Sequence, residues 1–181
     1  TDDGGYFLSA ETADMHGKSE EGKEKSVVIE SEGETMFDAV RNAVLVNVPR
    51  LYWGHTTVVI IGQQLAQDGV VQIMDFLTRD HETRLDMHPV IFKGENAREI
   101  FEAKPLTAEI ISEELRDMLH EQKSISKAVH TQIYEFIGCL ASEGVSAVMP
   151  AVCLTEVNGK KVAKLCGTAV FKQDKLIGYL D

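Results

Sequence analysis

The sequence predicts an α/β (α+β) fold: a mixed β-sheet packed with helices, followed by an αα-hairpin and an antiparallel β meander. Three observations carry this expectation. Between Val27 and Lys93 the apolar pattern switches from strand to helix and back twice, which is the signature of layered α/β units. After Lys104 two apolar stripes at helical spacing follow one another across a short break. Near the end, Asn158-Gly159 separates two long β-branched runs, the strongest short-range hairpin signal.

Element by element, "GYFLSAET" (Gly5–Thr12) reads as a strand and "SVVIES" as its antiparallel return. The polar stretch "ADMHGKSEEGKEK" between them has little to bury and reads as a mobile hairpin loop. Gly33 ends the return strand. "ETMFDAVRNAVLVN" then begins a helix, with Thr35 and Asp38 at capping-box spacing and Met36, Phe37, Val40 and Val44 as one apolar face. Pro49 marks its stop. "TTVVIIG" is β-branched without alternation, as expected of a central strand covered on both faces. "DGVVQIMDFLTRD" supplies a helix with Val70, Ile73, Met74 and Leu77 inward.

"DMHPVIFKG" reads as a further strand, limited by Pro89, which has no N–H to donate to a ladder. "NAREIFEA" is a short helix closing at Pro105. Thr107 is placed to cap a helix with Ile111, Leu115, Met118 and Leu119 inward. Ser126 is placed to cap another that buries Val129, Ile133, Phe136, Ile137 and Leu140. "AVMPAVCLTEV", "KKVAKLCGTAVFK" and "KLIGYL" then form three antiparallel strands, too few to stand without a partner surface. A soft domain boundary is expected near Gln122, dividing residues 1–122 from 123–181.

Composition narrows the function classes. The 181 residues are 44% hydrophobic and 26% charged, an ordinary globular balance with enough length for a substantial core. The net charge of −11 opposes phosphate backbones and anionic head groups, so no nucleic-acid partner is expected. No run of about 18 apolar residues is present to span a bilayer as a helix. Cys139, Cys153 and Cys166 contain no C-x-x-C pair, and their apolar neighbours suggest small hydrophobes rather than a redox dithiol or zinc ribbon.

Four stretches invite a chemical reading. In "RLYWGHTTVVIIG" (Arg50–Gly62) a lone histidine, His55, stands at the mouth of a strand with a pKa suited to general base work. No nucleophile motif accompanies it, so a half-buried imidazole bonded to a loop, with Tyr52 and Trp53 packed around it, is the better reading. "RDHETRLDMH" gathers His81, Glu82, Asp86 and His88, yet the histidines are seven positions apart and two arginines would repel a cation. A self-neutralising loop is expected there, with no metal. "GQQLAQDG" follows a strand but lacks both the Gly-Lys-Ser/Thr ending and G-x-G-x-x-G, and its glycines serve a turn. The methionine and aromatic residues on the helices read as core. The residues alone therefore indicate no catalytic site and no cofactor.

Taken together, "GETMFDAVRNA", "RLYWGHTTVVIIGQQLAQDGV", "IMDFLTRDHETRLD" and "CGTAVFKQDKLIGYL" resemble the Ger(x)C family, the C subunits of spore germinant receptors. The motifs keep the family's order and spacing from about residue 5 to the end. The resemblance implies a non-enzymatic lipoprotein subunit on the outer face of the spore inner membrane, held by an N-terminal lipid anchor. Its implied partners are the membrane-embedded A and B subunits. It supplies no catalytic, cofactor or metal residue. It places Tyr52, Gly54 and His55 in an aromatic-Gly-His segment, and Arg79 and Asp80 in an Arg-Asp segment, as structural or docking residues. The family's lipidated cysteine, its first strand and its C-terminal domain are absent, so an N-terminal fragment is expected. The alternative to a scaffold is a small-molecule germinant-binding module, with a pocket between the two parts. A hydrolase would need a titratable pair with opposed pKa shifts in a cleft.

Overall fold

A computed structural model describes residues 4–18, 24–46, 53–125 and 128–180. Strand β1 (Tyr6–Lys18) and strand β2 (Glu24–Gly33) form a two-stranded antiparallel hairpin, and helix α1 (Met36–Val46) follows. Pairing begins at Tyr6↔Gly33 and reaches Lys18↔Glu24, so the strands extend well into the stretch expected to be loop. The tip and Pro49 lie outside the described residues.

The second sheet has five strands in the order β3-β4-β5-β6-β7. They are β3 (Val58–Gly62), β4 (His88–Phe92), β5 (Val148–Val157), β6 (Lys160–Lys172) and β7 (Lys175–Leu180). β3, β4 and β5 run parallel, and β5, β6 and β7 form the expected antiparallel meander. Helices α2 (Gln63–Asp68) and α3 (Val71–Arg79) connect β3 to β4. A 3₁₀ segment at Ala97–Glu102, α4 (Ile111–Ile125) and α5 (Ile133–Ala141) connect β4 to β5. Mixed pairing with helices between strands is the predicted α/β class. Gln122 falls within α4, and strands from either side of it hydrogen-bond in this one sheet.

Alternation along the strands sends side chains to two cores. Ile61, Ile91, Met149 and Phe171 pack with Val70, Ile73, Met74 and Leu77 of the α2–α3 segment and with Phe136 of α5. Phe136 meets Phe171 edge-on at 5.1 Å. On the other face Val90, Phe92 and Val152 pack with Ile100 and with Leu115 and Leu119 of α4. β3 is therefore covered on both faces, as expected, but it is an edge strand and not a central one. β4 is the central strand. Pro89 pairs with Val59 of β3, while the β5 ladder begins only at Ile91, so the missing N–H lies where β4 has a single strand partner. Where β5 is absent, the start of α5 takes over: Ile133 and Tyr134 donate to the carbonyls of Met87 and Leu85.

The hairpin layer reaches the helices on both faces beside β3. Tyr6 donates to Gln72 of α3, Glu11 accepts from the backbone N–H of Ser112 in the first turn of α4 at 3.0 Å, and Glu30 pairs with Arg98 at 2.6 Å. Half of the capping box expected at α1 forms: Asp38 N–H donates to Thr35 Oγ1 at 3.1 Å, while the Asp38 carboxylate accepts from Glu34 N–H at 3.3 Å and not from Thr35. The apolar face of α1 is turned, however. Ala39, Val40 and Ala43 are buried, while Phe37 and Val44, expected inward, are exposed together with Leu45. Small alanines let the helix sit close on the hairpin and leave the larger side chains outside. Thr107 does not cap α4 directly. Its backbone and hydroxyl, with the N–H of Leu106, donate to Glu114, a carboxylate only 4% exposed that ties the preceding loop to the helix.

Both turns of the meander take positive φ where expected, at Asn158 and Gly159 (51° and 74°) and at Gln173 (56°). The second turn docks on the α2–α3 junction, where Val70 N–H donates to Asp174 O at 2.9 Å. Gly69, with φ 135°, makes that approach possible, because a Cβ there would stand 2.6 Å from the Asp174 carboxylate. Gly69→Ala is expected to cost about 1–3 kcal/mol in urea denaturation. Gly138→Ala, in α5 with open space around it, is expected to add up to about 1 kcal/mol by helix propensity.

Candidate functional site

The carboxyl ends of β3 and β4 open onto a groove of about 520 Å³ lined by Gln63, Gln64, Lys93, Gly94 and Glu95. This is the end of an open α/β sheet at which strands hand over to loops and helices, and where ligands are commonly held. Gln63 begins α2 directly after Gly62, and Lys93 follows Phe92, the register partner of Gly62. Lys93 is still pinned to the sheet, since its N–H donates to Val152 O at 2.8 Å. Gly94 has no side chain for a steric reason: a Cβ would fall 2.4 Å from the Phe92 ring.

The side chains of the groove are organised from the far edge of the sheet. Tyr179 of β7 donates its hydroxyl to Gln63 Oε1 at 2.7 Å, and the Lys93 ammonium stands 4.5 Å from the centre of the Tyr179 ring. With its oxygen engaged, the Gln63 amide keeps its N–H groups available. Cys153 follows Val152 on β5, and its register partner on β6 is Lys164, two residues before Cys166. A row of polar side chains thus crosses the sheet from Gln63 to Tyr179.

Burial dominates the protonation of this row. It pushes the Cys166 thiol up to about 12, reinforced by a hydrogen bond and charge repulsion from Cys153 and opposed by Lys93 and Lys164. Burial, then Cys166, pushes Tyr179 up to about 12 as well. At neutral pH both keep their protons, so Tyr179 remains a donor to Gln63. The three cysteines, expected to act as small hydrophobes, are each half-buried, and Cys139 packs against the core.

The residues singled out in the sequence lie elsewhere. Trp53–His55 is a 3₁₀ turn before the amino end of β3, closed by Thr56 N–H on Trp53 O at 3.0 Å. Gly54 is buried, while His55 is exposed rather than half-buried. A buried glycine at the centre of so short a turn leaves its neighbouring imidazole outside. Tyr52 lies outside the described residues. Arg79 ends α3 in an exposed ion pair with Asp75 at 2.7 Å. Asp80 shapes the corner after it: Oδ1 accepts from Glu82 N–H at 2.8 Å, and its carbonyl accepts from the Thr83 hydroxyl at 3.0 Å. Arg84 pairs with Asp86 at 2.5 Å, which neutralises that loop as expected. His88 faces the Thr131 carbonyl at 3.3 Å and stacks edge-on with His130 at 4.8 Å. Among the described residues no three His, Cys, Asp or Glu side chains gather as metal ligands would.

Sequence reasoning missed the groove because its members sit on three separate segments, each with a bland local context. Lys93, a cation closing an apolar strand, was the available signal; the glycines of "GQQLAQDG", read as serving a turn, flank helix α2.

A profile of the family described as "Spore germination protein N-terminal domain" matches residues 1–154. The chain belongs to the Ger(x)C family of spore germination proteins. A curated protein of Bacillus subtilis (strain 168), "Putative spore germination protein YfkR", is 27% identical over 159 residues, covering 84% of this chain and 40% of that protein. The chain thus spans about two fifths of that relative's length. No solved structure matches. Membership places this Ger(x)C chain in spore germination. No helix among its described residues is long and apolar enough to cross a membrane.

The alkaline behaviour of this Ger(x)C chain follows from Cys166. In the unfolded chain the thiol loses its proton above its ordinary 9.0, whereas the folded protein holds it to about 12, so stability declines as pH rises through that window. Cys166→Ser is expected to flatten this decline, read as a smaller drop in the urea midpoint between neutral pH and a pH inside the window. An unchanged drop contradicts the assignment.

Proposed function

We propose that this chain acts in germination as a non-enzymatic scaffold or interaction subunit of a nutrient germinant receptor, alongside its A and B subunits. The observation that carries this reading is the outward apolar stripe of α1, where Phe37 is 56% and Leu45 81% exposed, with Val44 one position before it. Phe37 keeps a tilted ring contact with Phe76 of α3 at 6.5 Å, and exposed apolar side chains on a chain of net charge −11 are a docking feature more than a solubility feature. Arg41 lies over the Phe37 ring at 5.7 Å and gives the stripe one polar anchor. Phe7, Val27 and Val28 on the adjoining hairpin are exposed as well, so the same layer offers more than one helix face.

Gly54, Arg79 and Asp80 are proposed to hold the corners at the amino ends of the strands. His55, being exposed, is proposed as a docking residue. Residence on the outer face of the spore inner membrane is ascribed to an N-terminal lipid anchor, since the acidic surface opposes adsorption to anionic lipid.

Two measurements test this. Leu45→Glu is expected to leave the melting temperature within about 2 °C, as surface substitutions do, while photocrosslinking from position 37 to the membrane subunits in spores is lost. Retained crosslinking and normal germination in that variant would remove the stripe from the interface. The 181-residue chain is also expected not to sediment with anionic vesicles at physiological salt, and strong cosedimentation would replace the anchor with direct adsorption.

A further inference from the structure

The polar row across the carboxyl end of the sheet has chemistry that the scaffold reading does not use. Lys93 and Lys164 both lie near enough to Cys166 to oppose the rise in its pKa, and neither is ion-paired among the described residues. In a chain with 29 acidic and 18 basic residues, an ammonium group at this end of the sheet with no ion pair among the described residues is a departure from the surrounding surface. The Gln63 amide, its oxygen held by Tyr179, contributes N–H donors on the β3 side. The Lys93 ammonium is positioned over an aromatic ring instead of wandering in solvent, which lowers the cost of ordering it around a ligand.

We propose that the groove at Gln63, Gln64, Lys93, Gly94 and Glu95, extended by Lys164, is a binding site for a small molecule bearing a carboxylate. The carboxylate accepts charge-assisted hydrogen bonds from the Lys93 ammonium and the Gln63 amide, and Lys164 adds long-range attraction. Gly94 brings the backbone close to the ligand without a side chain in the way. Glu95, which also lines the groove, disfavours a second negative charge and tolerates an ammonium group on the same molecule. The volume, about 520 Å³, is within the range of small-molecule sites. This site lies at the opposite end of the parallel strands from His55 and does not depend on the docking role proposed for α1.

The test is a two-dimensional amide NMR titration of the 181-residue chain at neutral pH and fixed ionic strength. The probes are sodium propionate, β-alanine and propylammonium chloride. Propionate and β-alanine are expected to shift the amides of Gln64, Lys93, Gly94 and Glu95 with a Kd on the order of millimolar, and propylammonium is expected to leave them unmoved. Lys93→Ala is expected to weaken propionate binding about tenfold, while Lys160→Ala, at the exposed start of β6, leaves it unchanged. If neither carboxylate moves these amides, if propylammonium moves them equally, or if Lys93→Ala binds propionate as the parent does, the proposal is overturned.

Discussion

Everything in this structure is arranged around β4, a strand buried on both faces. Val90, Ile91 and Phe92 are each at most 1% exposed, and they alternate between the two cores. A strand in that position must have its backbone bonded on both sides and apolar side chains above and below, because neither water nor a polar face is available. Pro89 violates the first condition, and the structure answers by starting the β5 ladder two residues later and bringing the first turn of α5 to the carbonyls just before it. Lys93 is the first residue released from that constraint. The groove therefore begins where the burial of β4 stops.

The apolar periodicity made most elements legible. The β-branched runs, the Asn158-Gly159 turn and the stripe of Val70, Ile73, Met74 and Leu77 all correspond to observed strands, turn and buried positions. What periodicity could not supply was spatial order. "TTVVIIG" looked central because both its faces are covered, but cover on two faces is also what an edge strand has when α3 lies on one side and α4 on the other. Phe37 and Val44 looked inward because they are apolar, whereas the close helix–hairpin approach selects Ala39 and Ala43 instead. His55 attracted attention as an isolated titratable residue, and its exposure follows from a 3₁₀ turn that no local pattern announces. The polar row was illegible for a different reason: Gln63, Lys93, Cys153, Lys164 and Tyr179 become neighbours only through the order of the strands.

The two proposed surfaces divide the molecule along its strand axis and between its layers. The hairpin and α1 carry exposed apolar side chains, as do Ile177 and Leu180 of β7, while Lys93, with no ion pair among the described residues, stands at the carboxyl end of β4. A protein with its recognition features so separated can be held by one partner while the other end stays open to solvent.

The attachment of the hairpin layer has a consequence for how the molecule breathes. Among its described ties to the helices are a tyrosine–glutamine hydrogen bond, one carboxylate bonded to the Ser112 N–H across 101 positions of sequence, and an ion pair between Glu30 and Arg98 that is partly exposed. Bonds of this kind are each modest and partly solvent-screened, while the sheet beneath has two dry cores. Native-state hydrogen exchange should therefore resolve the layer as a separate, lower-energy opening unit, a foldon that undocks before the sheet melts. A neighbour that grips the outer side of α1 would then also fasten the layer to its own body, linking occupancy to local order.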